Sequence, residues 1–466
     1  MRYLDGKVEQ EVTPLWDSLI SQSERISFHM PGHRQGRSWP SHIKKQLAAL
    51  DTTELAGTGD LAMPLGSVLD AYERAASCFG AGKTWFITSG TTSSIMIMLA
   101  SSLRKGDALL LPRAVHVSVV HAVALLGLKP IFVEAEDGRI FEDGQPDASS
   151  YIFSIRRHSE AKACLVTYPD YYGRTIDLDR VSRAAQNAGM LLLVDEAHGA
   201  HFAFLPDQKP ATALSLGADI VCQSAHKTLA ALTPASLLHV SEAAIQQRRV
   251  DLQRVVSMVH VFQTSSPSFL VAATIDRARA ELESCGKERL ERLQRLNVSF
   301  SEKLPTGFYR VLPEGADPSR LVLDFAEAGF SRRTLAEHLD KSGVDVEMID
   351  ISRIVLIPAL DQPEEDYMRL LESLFFLSEL ENKENRQSLT QARHELLHIR
   401  DRLLSAPAAF QVTPREALFG RDACYAIAPY PPGLTVLWPG EPVLEEHRSF
   451  FQALHSLDIT VRGIQY

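Results

Sequence analysis

Between about residues 66 and 260, short apolar runs alternate with longer stretches in which apolar residues return every three to four positions. Short runs bounded by polar or glycine positions read as strands, and the longer periodic stretches as helices. On that reading helices cover 68–79, 93–103, 117–126 and 178–188, and strands cover 85–88, 108–111, 129–133, 163–167, 191–194 and 218–222. Gly127, Gly189 and Gly217 fall where helices should stop, at the position that favours a left-handed residue. Short strands separated by helices predict an α/β fold with a largely parallel sheet covered on both faces, because parallel neighbours need crossover connections.

The flanks differ. Residues 1–60 read as an amphipathic arm interrupted by His29-Met30-Pro31-Gly32-His33-Arg34, which by itself is a polar turn. A long charged helix over 277–296 leads to a smaller α/β region from about 305. A helical stretch over 368–404 is interrupted at 381–385, and Pro429-Tyr430-Pro431-Pro432-Gly433 excludes any regular element. These breaks divide the chain into an arm (1–60), a large domain (61–300), a small α/β domain (301–385) and a C-terminal region (386–466).

At 466 residues the chain is too long for one compact core. A net charge of −10 argues against nucleic-acid or anionic-membrane partners. Five scattered cysteines with no CxxC pair give no zinc or disulfide framework, and no metal is expected. No apolar run approaches a membrane span and the first residues carry no signal-like segment, so a cytoplasmic location is expected.

Three strand ends carry the chemistry. The 218–222 run leads into Ser224-Ala225-His226-Lys227, the 191–194 run into Asp195-Glu196-Ala197-His198, and the 85–88 run into Ser89-Gly90-Thr91-Thr92. Folds of this class place ligands at the carboxyl edge of the sheet. A Ser-Gly-Thr-Thr turn opening a helix offers free N–H groups and a positive dipole end to an anion. Asp195, after four apolar residues, is costly to bury without a cation; the alternative is a helix-capping aspartate. An amine, a lone acid and an anion cradle are together what pyridoxal phosphate requires. The lysine forms the Schiff base, the acid pairs with the pyridinium nitrogen, and the loop holds the phosphate. His198 is placed to donate to the cofactor's phenolic oxygen or to contact substrate, and His116 to stack on the ring; either also reads as structural. A nucleotide-hydrolase reading would use Gly80-Ala81-Gly82-Lys83-Thr84 with Asp195 to His198. It fails because Ser77 stands where a phosphate loop needs its first glycine, and because these glycines follow a helix and precede a strand.

These residues resemble the fold-type I pyridoxal-phosphate enzymes, with an aspartate-aminotransferase-like large domain, and among them the bacterial ornithine/lysine/arginine decarboxylase family. The likeness runs over almost the whole chain. Its blocks are His29 to Arg34, Thr53-Glu54-Leu55, Gly59-Asp60-Leu61, Pro64-Leu65-Gly66, Asp195 to Phe202, Ser224 to Leu229, Gln263 to Ser268, Pro429 to Gly433 and Pro439-Gly440-Glu441. The chain is similar to the short members, which lack an N-terminal regulatory domain. The resemblance implies α-decarboxylation of lysine, arginine or ornithine to the corresponding amine, as in polyamine biosynthesis. It implies that Lys227 carries the cofactor, Asp195 keeps the pyridinium protonated and His116 stacks on the ring. Ser89, Gly90, Thr91 and Ser224 would hold the phosphate, with His198 and His226 completing the cofactor's surroundings. His29, Arg34, Asp170, Tyr425 and Glu441 are the implied substrate contacts. A homodimer or larger homo-oligomer with sites at the subunit boundary is also implied, the arm around His29 to Arg34 reaching a neighbour.

The chain departs from that family on the substrate side. Val117 stands where lysine is usual, Asp170 for threonine, Pro234 for glutamine, Tyr425 for glutamate and Thr435 for proline. Asp170 is a candidate to replace the missing glutamate. The departures keep open an aminotransferase or other pyridoxal-phosphate lyase, and a cofactor-binding paralogue with weak catalysis and a regulatory or assembly role.

Overall fold

The computed structural model describes residues 3–4, 7–8, 13–379, 386–420, 426–430 and 433–463. A seven-stranded sheet is built from β1 (Lys83–Ile87), β2 (Ala108–Leu111), β3 (Lys129–Phe132), β4 (Ala161–Thr167), β5 (Leu191–Asp195), β6 (Ile220–Ser224) and β7 (Ser236–Val240). Their spatial order is β1-β7-β6-β5-β4-β2-β3. The run from β6 to β3 is parallel throughout. Only β7 opposes it, pairing antiparallel with both β1 and β6. Every residue of β2, β6 and β7 is buried, as expected of strands covered by helices on both faces.

The expected mostly parallel α/β fold is therefore present, with differences that have local causes. β7 was not anticipated: only the single helical turn Ala225–Thr228 separates it from β6, too short a connection for a parallel neighbour. The helices Ala148–Arg157 and Leu252–Phe262 were also not anticipated. The helix expected from 93 starts at Gly90, because its first turn is made of small polar residues with no apolar period. Gly127 and Gly189 close helices with φ of +67° and +71°, whereas Gly217 closes a turn. Gly80, at φ +73°, caps the helix Ser67–Phe79, so the Gly80 to Thr84 segment is a helix-to-strand turn.

The helix Phe269–Ser301, longer at both ends than the charged pattern indicated, leads to a second sheet. This comprises β8 (Tyr309–Arg310), β9 (Leu321–Asp324), β11 (Met348–Ile349) and β12 (Arg353–Leu356), antiparallel in the order β8-β9-β12-β11. The intervening β10 (Val344–Val346) pairs in parallel with Ile26–Phe28 of the arm. From there the arm crosses the lysine loop of its own chain. Gly32 N donates to His226 O at 2.9 Å and Trp39 Nε1 to Ala230 O at 3.0 Å. A Cβ at Gly32 would lie 2.6 Å from Leu229 O, so the close approach requires glycine. The segment expected to reach a neighbour, His29 to Arg34, packs on the lysine loop of its own chain.

C-terminally, Arg386–Leu404 and Glu445–Ser456 enclose a separate apolar cluster with Leu396, Leu403, Phe450 and Leu454. The break at 381–385 lies outside the described residues. Among the described residues no helix is long and apolar enough to cross a membrane.

Candidate active site

The ends of β6, β5 and β1 meet at one edge. Lys227 sits in the single helical turn Ala225–Thr228 directly after β6, and Asp195 is the last residue of the adjacent β5. The Asp195 carboxylate is buried, and its Oδ1 accepts from Ala197 N at 3.1 Å. No helix follows it, which removes the capping alternative. Burial raises its pKa, against the opposing pull of Lys227 and the Ala197 amide. Burial likewise lowers the pKa of Lys227, with Arg320 pushing the same way and Asp195 and Glu347 opposing.

The anion cradle forms where β1 passes into Gly90–Ser102. Gly90 has a φ of +83°, and a Cβ there would lie 3.2 Å from Pro234 Cβ. Thr91 Oγ1 lies 2.5 Å from Ser224 Oγ and 3.1 Å from Ser236 Oγ, tying the turn to β6 and β7. Ser89 Oγ is buried with no protein partner, although Ser89 is the N-cap residue. A buried hydroxyl without a partner beside free helix N–H groups suits a phosphate.

Three histidines surround the lysine. His198 Nε2 lies 2.9 Å from Lys227 Nζ. His116 caps the helix Val117–Leu126 through Ser118 N, and its backbone bridges to Leu434. Burial chiefly holds its ring at about 4. His226 Nδ1 engages Ala235 O at 2.8 Å, so this ring pins the lysine loop to the start of β7.

Sequence reasoning missed three site residues. Arg320, just before β9, donates from Nη2 to His198 Nδ1 at 3.0 Å. Glu347, buried between β10 and β11, accepts from Tyr171 Oη at 2.6 Å and from Met30 N at 3.2 Å. Tyr171 packs edge-on against His198, with ring centroids 5.0 Å apart. The available signals were a cation directly before the apolar run Leu321-Val322-Leu323 and a glutamate inside Val344-Asp345-Val346-Glu347-Met348-Ile349. Neither identifies a site until the second sheet is docked.

The substrate-side candidates separate. His29 Nε2 lies 3.6 Å from Glu347 Oε2, at the edge of the site. Arg34 is paired with Asp366 at 2.9 Å. Asp170 is engaged by its own loop: Arg174 Nε donates to it at 2.6 Å, with the backbone amides of Tyr172 and Arg174 at 2.9 and 2.8 Å. Glu441 is buried against Arg113 in a two-pronged pair at 2.6 and 2.7 Å. These three carboxylate and guanidinium groups therefore each have a partner within the chain. Tyr425 lies outside the described residues.

Fold and site together define a fold-type I pyridoxal-phosphate enzyme, and the residues present fit that cofactor. Asp195 is a buried carboxylate suited to a cationic partner, Lys227 a nearby amine, and Ser89 to Thr91 a cradle with an unpartnered buried hydroxyl. The comparisons agree. The family model described as Orn/Lys/Arg decarboxylase, major domain, matches residues 13–304. The uncharacterized protein YaaO of Bacillus subtilis is 32% identical over 471 positions, covering 97% of this chain and 96% of that protein. An arginine decarboxylase of Bacillus anthracis is 30% identical over 480 positions, covering 98% and 96%. In fold, the constitutive lysine decarboxylase of E. coli superposes with a TM-score of 0.74 at 20% identity, over 97% of this chain and 80% of that one. The chain belongs to the Orn/Lys/Arg decarboxylase family of pyridoxal-phosphate-dependent carboxy-lyases.

Proposed function

We propose that this protein removes the α-carboxylate of a basic amino acid, one of lysine, arginine or ornithine, to give the corresponding amine. The observation that carries the reading is the placement of Lys227 and Asp195 on adjacent strand ends beside the Ser89 to Thr91 cradle. Lys227 would attach the cofactor, Asp195 would pair with its ring nitrogen, and Ser89, Gly90, Thr91 and Ser224 would hold its phosphate. His116 and His198 would line the same site. When bound, pyridoxal phosphate supplies an electron sink for the pair left by the departing carboxylate.

The chain's own residues do the rest. Asp195 would favour a protonated ring nitrogen beside it, because a buried carboxylate favours a charged partner. Glu347, aimed into the site by Tyr171 and Met30 N, is the carboxylate we assign to the distal cation of the substrate. The arm and the second sheet cover the site and exclude water, which strengthens both interactions. The same proposal includes a homo-oligomer and a cytoplasmic location. The first is supported by Leu15, Trp16, Leu19 and Ile20, exposed along one helix, and the second by the free thiols of Cys164 and Cys222.

The test is to add the cofactor to the full chain, reduce with borohydride and map the modified residue by mass spectrometry. A panel of amino acids is then assayed for amine and carbon dioxide. Modification of Lys227 with amine from a basic substrate supports the reading. Keto-acid without carbon dioxide would replace decarboxylation with transamination.

A further inference from the structure

We propose that Arg320 is a positioning residue that fixes the tautomer of His198 and, through it, holds Lys227 as the uncharged amine. The proposal rests on the assignment of Lys227 as the residue that attaches the cofactor.

The argument is one of donor and acceptor accounting. A guanidinium offers only N–H donors, so His198 Nδ1, 3.0 Å from Arg320 Nη2, must be the acceptor. A neutral imidazole has one N–H, which then lies on Nε2. Nε2 faces Lys227 Nζ at 2.9 Å, so Nζ must accept. Only the free amine has a lone pair with which to do so; an ammonium would set two donors face to face. A doubly protonated His198 is excluded in the same way, since its Nδ1–H would oppose Arg320. The chain Arg320–His198–Lys227 is therefore consistent in one protonation pattern, and in that pattern the lysine is nucleophilic.

The placement of Arg320 is built into the fold. Asp317 N donates to Gly173 O at 2.8 Å, and Arg320 N to Asp317 O at 3.2 Å. Gly173, at φ +86°, leaves room for the arginine stem: a Cβ there would lie 2.9 Å from Arg320 Cβ. His201 holds the Asp317 carboxylate at 3.1 Å. Burial favours the neutral forms of both His198 and Lys227. The charged and titratable groups around Nζ are Asp195 from β5, Glu347 from the β10–β11 junction, Arg320, and the rings of His116, His198 and His226. Asp195 and Glu347 favour the ammonium; burial, the Arg320 charge and the geometry of the histidine contact oppose them.

The apparent pKa of Lys227 can be read in the full chain prepared without cofactor, by trace acetylation across pH and mass spectrometry, with exposed Lys129 as reference. Arg320→Met frees Nδ1, lets the tautomer switch and is expected to raise the Lys227 value by about one unit or more, a roughly tenfold fall in free amine at fixed pH. Arg320→Lys, which keeps a donor, should recover most of the loss. In a His198→Phe background Arg320→Met should add only the smaller through-space part of that shift. An equal shift in both backgrounds would reduce Arg320 to a through-space charge and overturn the proposal, as would no shift at all. Nitrogen-15 spectra of the wild-type chain give an answer that needs no variant: His198 should be protonated on Nε2, and an Nδ1–H signal would refute the relay. These readouts are independent of cofactor attachment, whose failure would show as absence of the borohydride-fixed adduct on Lys227.

Discussion

Tyr171 Oη donates a 2.6 Å hydrogen bond to Glu347 Oε1, joining the loop after β4 to the junction between β10 and β11. That bond aims a buried carboxylate from the smaller sheet at the edge of the larger one, where Lys227 stands. On the proposed reading, a basic substrate would meet its counter-charge on one sheet and its reacting partner on the other.

Removing the charge should separate binding from chemistry. Glu347→Gln is expected to lower kcat/KM for basic amino acids by about 10- to 100-fold, equivalent to the roughly 1.5–3 kcal/mol of a hydrogen bond to a charged group. Most of the loss should fall on KM. Steady-state kinetics with lysine, arginine, ornithine and an uncharged analogue will measure it; an equal loss for the uncharged analogue would remove Glu347 from substrate recognition.

Asp143 is the main electrostatic junction between the large sheet, the smaller sheet and the C-terminal region. Its fully buried carboxylate receives Arg174 and Arg353, each at 2.7 Å, and Arg400. Burial pushes its pKa up, but the three guanidinium groups overcome this and hold it at about 2. A depressed carboxylate contributes stability above its unfolded value near about 4, and that contribution is lost as pH falls towards about 2. Asp143→Asn should cost about 3–5 kcal/mol, as when one partner leaves a buried ion pair. Calorimetry should also find the variant's acid-side stability flatter with pH than the wild type's.

Glu196 shows the opposite sign. Burial lifts it to about 8, although Gln223 Nε2 at 2.7 Å and Ala213 N at 2.8 Å pull it down. The folded chain then binds more protons here than the unfolded chain, so stability falls as pH rises from about 4 through about 8. Glu196→Gln should remove that slope. Urea midpoints at pH 6 and pH 9 should converge in the variant and diverge in the wild type.

Glu441 provides a control on substrate assignment. Besides its pair with Arg113, it accepts from Trp438 N at 3.1 Å and Ala409 N at 3.2 Å. Glu441→Gln should lower the melting temperature while leaving the ranking of lysine, arginine and ornithine unchanged. A reversal of that ranking would return Glu441 to the substrate pocket.

What the sequence by itself determined was local in origin. Lys227, Asp195 and Ser89 each follow an apolar run directly, and a strand's end is fixed by the residues that make it. Three such ends share one edge of the sheet, so their meeting there was legible in the sequence. Even there β7 was invisible, because the single turn Ala225–Thr228 before it is too short to show a helical period. The tertiary structure alone decided which charged residues face that edge. Asp170, Arg34 and Glu441 look like free charges in sequence, yet each has a partner elsewhere: its own loop, Asp366 and Arg113. Arg320 and Glu347 lie 93 and 120 positions beyond Lys227 and carry no motif. They join the site only because the smaller sheet docks against the larger one, and a buried charge is defined by the partner that docking brings to it.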